Sequence, residues 1–233
     1  MNHYFKYWLR TVLFLGLPVW LALSILLFSH PAHSSERNHS EEKQWQFRVF
    51  LDDSEIGYHH VTMQPVQDIK RVKVNADFKV KFLFFTAFRY QHQANEVWQG
   101  SCLTDLQSTT NNNGEKLFVA TTASAEGFRV QSAFGEQLIE GCVRSFAYWD
   151  LELLKADHLL NTQSGEVEAV ELQALGDNVL EFEGQRFQAS KYRLVLKDKN
   201  IDLWYSPDSQ WLALQSETEG GYQLSYYPDR VAF

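Results

Sequence analysis

Histidines and carboxylates are the first residues of this chain whose types could support metal or acid–base chemistry. His59 and His60 are adjacent, so on a strand they face opposite sides and do not bind one metal ion together. His92 and Glu96 would share one face of a strand, but about 13 Å separates them at about 3.3 Å per residue. The spacing therefore predicts no metal site. Phosphate-loop, dinucleotide, nucleophile-elbow and zinc-helix motifs are absent from the sequence, which predicts no cofactor.

Aromatic residues are the second group with chemical potential, because the chain contains 7 Trp, 10 Tyr and 17 Phe. Two clusters stand out, Phe146-Ala-Tyr-Trp-Asp150 and Ile201-Asp-Leu-Trp-Tyr205. They are either large core residues with polar tips or the rim of an apolar cavity that holds one ligand. On the second interpretation the predicted ligand-binding residues are Tyr90, His92, Trp98, Tyr148, Trp149, Trp204 and Tyr205.

The elements that must position these residues are strands. Between Arg71 and Phe82, apolar residues occupy every second position and mostly basic residues lie between them. A period of two gives a strand with one apolar and one wetted face. About a dozen such segments at turn spacing predict an all-β protein, a single highly curved antiparallel sheet that forms a barrel or half-barrel. Near 150–160, apolar residues recur at helical spacing, which predicts a short helix there.

The N-terminal residues 1–34 are typical of an export segment. Lys6 and Arg10 precede an apolar run of 19 residues from Thr11 to Ser29. The segment is either a signal peptide cleaved before Ser35 or an uncleaved membrane anchor through residues 11–29. In both cases the basic lead predicts that the N-terminus stays in the cytoplasm and that the body is exported, to the periplasm in a bacterium. A polar linker follows at 35–43, and residues 44–233 are predicted to form one β-domain.

The net charge and the cysteine content further restrict the class of protein. Because residues 1–34 contain two basic and no acidic residues, the rest of the chain has a net charge of −10 instead of −8. This balance argues against nucleic-acid binding, which requires phosphate neutralisation. Cys102 and Cys142 are the only cysteines, and an even number in an exported chain predicts a disulfide. Two buried thiols are the alternative.

The order of short motifs resembles that of a family of exported bacterial proteins classed as a domain of unknown function. The motifs that carry the resemblance are Trp45-x-Phe47-x-Val49, Glu96-x-Trp98-x-Gly100-x-Cys102, Phe146-Ala-Tyr-Trp-Asp150, Leu159-Leu-Asn161-x-Gln163-x-Gly165 and Ile201-x-Leu203-Trp-Tyr205. More distantly, the pattern is similar to curved-sheet carriers of lipids and lipoproteins. The resemblance implies location and fold, and it assigns no catalytic residue.

Three functions are compatible with these features. The first is non-catalytic binding of an apolar or amphipathic, lipid-like ligand at the cell envelope. The second is envelope assembly, in which the basic face of the 71–82 strand, with Lys73, Lys79 and Lys81, binds a protein partner. The third is an enzyme on an apolar substrate with His92, His158 or a tyrosine as acid–base group.

Overall fold

The computed structural model of the protein describes residues 41–82 and 85–229. The predicted export segment 1–34 and all but the end of the predicted linker 35–43 lie outside the described residues. Within the described ranges, no helix has the length and the apolar character needed to cross a bilayer.

Thirteen strands form one antiparallel sheet. The first eight are β1 Lys43–Leu51, β2 Ser54–Val66, β3 Ile69–Phe82, β4 Phe85–Gln99, β5 Cys102–Asn112, β6 Glu115–Ser124, β7 Gly127–Ser132 and β8 Gly135–Ile139. The last five are β11 Glu171–Phe182, β12 Gln185–Val195, β13 Asn200–Tyr205, β14 Trp211–Glu217 and β15 Gln223–Pro228. Two short strands between these groups, β9 His158–Leu160 and β10 Val167–Ala169, form a separate two-stranded sheet.

The sheet is a meander whose two halves join at the ends of the chain. Strand β15 pairs with β1, so the spatial order runs from β11 to β15 and then from β1 to β8. The edges β11 and β8 do not pair with each other, and the sheet is therefore not closed. The all-β prediction is confirmed, and the barrel is an open one.

The long alternating segment forms β3 as the sequence predicted. Val72, Ala76 and Phe78 are buried on its inner face, and Arg71 and Lys73 are exposed on its outer face. Farther along the chain, a turn follows Ser132 and β8 begins at Gly135.

Ring contacts across the inner face show that the sheet is strongly curved. Phe78 on β3 and Tyr226 on β15 are three strands apart in the sheet order, which is about 14 Å at the usual strand spacing. Their ring centroids are nevertheless 6.0 Å apart. His59 on β2 lies 5.2 Å from the same tyrosine ring. The inner face is therefore concave.

The chain between the two sheet edges, which we call the inner segment (residues 143–170), packs into this concavity. Its backbone accepts hydrogen bonds from the Leu103 amide at 2.8 Å and the Tyr205 hydroxyl at 2.7 Å. The helix expected near 150–160 is a single 3-10 turn, Leu153–Lys155, and His158–Leu160 is a strand. Consecutive buried leucines at 153–154 and 159–160 explain the correction, because the segment is enclosed on several sides and has no single apolar helical face.

The predicted disulfide is present and fixes the start of the inner segment. Cys102 at the beginning of β5 bonds to Cys142, with 5.1 Å between the two Cα atoms and 40 residues between them in sequence. A loop of this length corresponds to a stabilisation of about 3–4 kcal/mol in the chain-entropy description. The bond holds the inner segment against β5.

A second, smaller cluster lies on the outer face of the sheet. It contains Leu180, Ala189, Trp204, Leu212 and Ala213, and we call it the outer cluster. The end of the β11–β12 hairpin covers it, since the Phe182 ring stacks on Tyr227 at 4.3 Å and Glu183 pairs with Arg48 on β1 at 2.6 Å. Aromatic residues thus pack on both faces of the same strands.

Candidate ligand-binding cavity

The concave face and the inner segment enclose a cavity of about 210 Å³. Its walls come from β2, β3 and β4 on one side, from β13, β14 and β15 on the other, and from the inner segment between them. The cavity exists because the edges of the sheet do not close on each other and the inner segment fills the concavity only in part.

A transverse row of paired residues places two histidines in this cavity. His59 pairs with Ala76, Ala76 with His92, and His92 with Thr110 across β2, β3, β4 and β5. Directly paired residues point to the same face of a sheet, and the small Ala76 leaves open space between the two rings. The His92 ring contacts the Thr110 hydroxyl at 2.8 Å through Nδ1, whereas Nδ1 of His59 is buried without a hydrogen-bond partner among the described residues.

Burial keeps both imidazoles neutral. It lowers the pKa of His59 to about 3, with a smaller contribution from the neighbouring His92, and it lowers the pKa of His92 to about 4. A neutral imidazole offers one donor and one acceptor nitrogen. The His59 ring can therefore form a hydrogen bond with a polar group in the cavity at neutral pH, whereas both nitrogens of His92 already contact threonine hydroxyls, Thr110 at 2.8 Å and Thr162 at 3.4 Å.

Glu96 adds a buried carboxyl group further along β4. Burial raises the pKa of Glu96 to about 7, although the Trp98 indole Nε1–H donates to the carboxylate at 2.7 Å and opposes this shift. A substantial fraction of this acid is therefore protonated near neutral pH. Within residues 41–82 and 85–229, no group of three or more metal-ligating side chains converges.

Three tyrosines, Tyr90, Tyr148 and Tyr226, also line the cavity. Burial raises the pKa of each hydroxyl well above its usual value, so all three remain neutral. Together with His59 Nδ1, which has no hydrogen-bond partner among the described residues, they give the cavity four polar groups.

Tryptophans supply the apolar wall. The Trp211 ring lies 5.5 Å from Tyr148 and 4.2 Å from Phe47, and Trp149 packs against Trp98 at 5.7 Å. Trp211, Tyr226, His59 and Glu96 line the cavity but were not among the predicted site residues. Their alternation with buried neighbours, such as His59 with Val61 and Met63, was the available signal.

The structure brings four of the seven predicted ligand-binding residues to the cavity, namely Tyr90, His92, Tyr148 and Trp149. Trp98 and Tyr205 are fully buried beside it and support its wall, Trp98 through Trp149 and Tyr205 through the backbone of Tyr148. Trp204 belongs to the outer cluster. Adjacent strand residues face opposite sides, so Trp204 and Tyr205 do not contribute to one site.

The other residues considered for function lie elsewhere. His158 is exposed on β9 and does not line the cavity. Lys73, Lys79 and Lys81 are exposed on the outer face of β3, where Asp77 lies 3.6 Å from Lys79. The acid–base candidates His92 and His158 are therefore not brought together.

The fold and the cavity define a class, a β-barrel-like protein with an internal, partly polar pocket. Residues 47–229 match the family described as "Domain of unknown function (DUF6134)", and the chain belongs to this family. This confirms the resemblance to an uncharacterised β-rich family. No sequence among the curated proteins matches the chain.

A solved structure has a similar fold. It is the "Beta-barrel-like Protein of Domain of Unknown Function DUF1849 from Brucella abortus", with a TM-score of 0.57 and 8% sequence identity. The similarity covers 80% of this chain and 95% of the other chain. At this identity the comparison shows the fold alone.

Proposed function

We propose that this protein is a non-catalytic binding protein for a small amphipathic, lipid-like ligand and that the ligand occupies the inner cavity. The observation that carries the proposal is the combination of an aromatic wall with polar groups that line the same cavity, the unpaired His59 Nδ1 and the hydroxyls of Tyr90, Tyr148 and Tyr226. A buried polar group without a partner costs about 1–3 kcal/mol. A ligand with a hydrogen-bonding group removes this cost, and its apolar part contacts the rings.

The volume of the cavity limits the ligand. At about 210 Å³ it is smaller than the pockets of roughly 300–1,000 Å³ that hold drug-sized molecules. A whole two-chain lipid does not fit in this space. The proposed ligand is therefore a single-chain amphiphile, or the cavity takes one end of a larger molecule.

We also propose that the protein acts outside the cytoplasmic membrane. The predicted export segment and the Cys102–Cys142 disulfide support this location, since disulfides persist in oxidising compartments. Recovery of the protein in the cytoplasmic fraction of lysed cells, with both cysteines reduced, would contradict it.

The test of ligand binding is a titration of the full chain with 1-octanol, followed by tryptophan fluorescence. Trp149 and Trp211 line the cavity, so occupancy is expected to change their emission with a saturable dependence. Tyr226→Phe removes one cavity hydroxyl and is expected to weaken binding about 3- to 10-fold. A linear, non-saturable response would indicate that the cavity holds only water and would overturn the proposal.

Tyr227→Phe is the matched control. Tyr227 is the next residue in the chain but faces outwards, where its hydroxyl accepts a hydrogen bond from Gln215 at 2.9 Å. The proposal expects unchanged octanol affinity for this variant. Equal weakening in both variants would indicate a general loss of structure.

A second candidate function is binding of an envelope protein through the outer face of β3. The exposed side chains of Arg71, Lys73 and Lys81 on a chain of net negative charge favour an acidic partner surface. Reversal of Lys73 and Lys81 to Glu is expected to abolish co-purification of such a partner. Capture that is unaffected by the reversal excludes this candidate.

A further inference from the structure

The inner cavity is not sealed at the end where β13, β14 and β15 meet the inner segment. A surface groove of about 830 Å³ adjoins it there. Four residues line both the cavity and the groove, namely Glu168, Lys199, Ser216 and Leu224. We call these four residues the mouth, because they are the lining residues that the cavity and the groove share.

The mouth carries two opposite charges that do not pair with each other. Within the described ranges, no ion pair at or below 4.0 Å joins Lys199 to Glu168 or to another acid. The Glu168 carboxylate is oriented by the Asn161 amide, which donates to Oε1 at 2.7 Å. Lys199 lies in the β12–β13 turn, which is closed by a 2.9 Å bond from the Leu196 amide to the Lys199 carbonyl. The backbone of Lys199 is thereby fixed and its exposed side chain is free to reach a ligand.

Three charged side chains near the mouth are already paired with one another. In the groove, Arg193 binds Asp202 through two bonds of 2.7 and 2.9 Å, and Lys191 binds the same carboxylate at 2.7 Å. These contacts lower the pKa of Asp202 and keep it ionised, although burial opposes the shift. The paired set is therefore a structural feature of the groove wall, and it leaves the mouth residues available.

We propose that the mouth recognises a zwitterionic head group, in which Lys199 binds the anionic part and Glu168 binds the ammonium part. This inference rests on the proposed binding function, and it adds the class of ligand. A ligand with a single charge would satisfy one mouth residue and bring its like charge close to the other, which is unfavourable. A head group with both charges satisfies the two residues together, while its apolar chain enters the aromatic cavity.

The experiment compares four probes that share an eight-carbon chain and differ only in the head group. They are 2-aminooctanoate, octanoate, octylamine and 1-octanol, and each is titrated against the full chain by tryptophan fluorescence. We expect 2-aminooctanoate to bind roughly ten-fold more tightly than 1-octanol, as charge-assisted hydrogen bonds at both mouth residues would give. If 1-octanol binds as tightly as the zwitterion, the head-group assignment is wrong and the proposed function stands. If no probe binds, the proposed function itself fails.

Two variants assign the roles at the mouth. Lys199→Gln should weaken 2-aminooctanoate and octanoate several-fold and leave 1-octanol unchanged, whereas Glu168→Gln should weaken 2-aminooctanoate and octylamine. Lys197→Gln and Glu219→Gln are the controls, because these residues line only the outer groove. Equal losses in the controls would show a diffuse effect of the groove charge and would overturn the assignment.

A fifth probe distinguishes two sources of the same chemistry. Monomeric octanoyl lysophosphatidylcholine, a single-chain lipid, presents a phosphate and an ammonium, as a zwitterionic lipid head group does. Binding of this probe that depends on Lys199 and Glu168 assigns the mouth to a lipid head group. Binding of 2-aminooctanoate alone, with the same dependence, assigns it to amino acids with apolar side chains. Zwitterion binding that neither variant changes would contradict the proposal for both sources.

Discussion

The inner cavity and the outer cluster use the same strands and similar residues but treat their polar groups differently. Trp211 and Tyr226 face inwards, whereas Trp204 and Tyr227 face outwards from the same part of the sheet. In the outer cluster the Trp204 indole donates to Asn178 at 3.0 Å, and Tyr227 accepts from Gln215. In the cavity, by contrast, His59 Nδ1 is buried with no partner among the described residues.

This difference separates stability from binding. Buried polar groups in protein cores are nearly always paired, and unpaired ones require an explanation. The outer cluster follows this rule and is closed at its rim by Arg48, which bonds both Glu55 and Glu183. The inner face leaves His59 Nδ1 unpaired beside the cavity. If the proposed function is correct, substitutions in the outer cluster should change stability without changing ligand affinity.

The largest expected effect tests the outer side of the comparison. Trp204 is almost fully buried, so Trp204→Ala is expected to lower the free energy of unfolding by about 3–5 kcal/mol. Urea denaturation measures this loss. Because Trp204 does not line the cavity, the affinity for 1-octanol should remain within about two-fold of the original value.

Trp204→Phe keeps the experiment informative if the alanine variant does not fold. It retains a ring but loses the bond to Asn178 and is expected to cost about 1–2 kcal/mol. A large loss of octanol affinity in a stable Trp204→Phe protein would show that the two regions are not independent.

The second prediction concerns the disulfide, which anchors the inner segment but does not contact the outer cluster. Replacement of Cys102 and Cys142 together by Ser is expected to lower the free energy of unfolding by about 3–4 kcal/mol. Octanol affinity should also fall, because Tyr148 and Trp149 on the inner segment form part of the cavity wall. Measurement of both quantities at the same temperature checks the prediction, and reduced stability with unchanged affinity would contradict the role of the anchor.

The strands and the disulfide were predicted correctly because the strands follow from local alternation of apolar residues and the disulfide from an even number of cysteines. The alternation between Arg71 and Phe82 was sufficient to assign the faces of β3. The 3-10 turn at Leu153–Lys155 was not predicted correctly, since enclosure by the sheet buries adjacent leucines and removes the periodic signal. Helical spacing is informative only where one face meets solvent.

The cavity required information that local pattern does not contain. His59 and His92 belong to one site because Ala76 pairs with both across β3, and strand register is a property of the assembled sheet. Considered only within its own strand, His59 was therefore not predicted to belong to a site. Trp204 and Tyr205 were grouped because they are adjacent in sequence, which on a strand places them on opposite faces.

The smallest of these effects is a pH dependence that only the inner region should show. Burial raises the pKa of Glu96 in the folded protein from its usual value of 4.5 to about 7. The resulting stability is fully present below pH 4.5 and is lost as the pH rises through 7, because the unfolded chain releases the proton first. Glu96→Gln removes this dependence. Relative to the original protein, the variant should gain up to about 3 kcal/mol of unfolding free energy between pH 4.5 and pH 8.

Histidine titration does not obscure this prediction, because the comparison cancels it. The lowered pKa values of His59 and His92 contribute stability above pH 6.5 that is lost as the pH falls, and both proteins contain these residues. Glu183→Gln is the outer control, since its carboxylate pairs with Arg48 at an exposed edge and is worth at most about 1 kcal/mol. Urea midpoints at pH 4.5, 6 and 8 measure all three proteins. A stability difference between Glu96→Gln and the original protein that does not change with pH would show that burial does not raise the pKa of Glu96. The distinction between the inner region and the exposed outer edge would then fail.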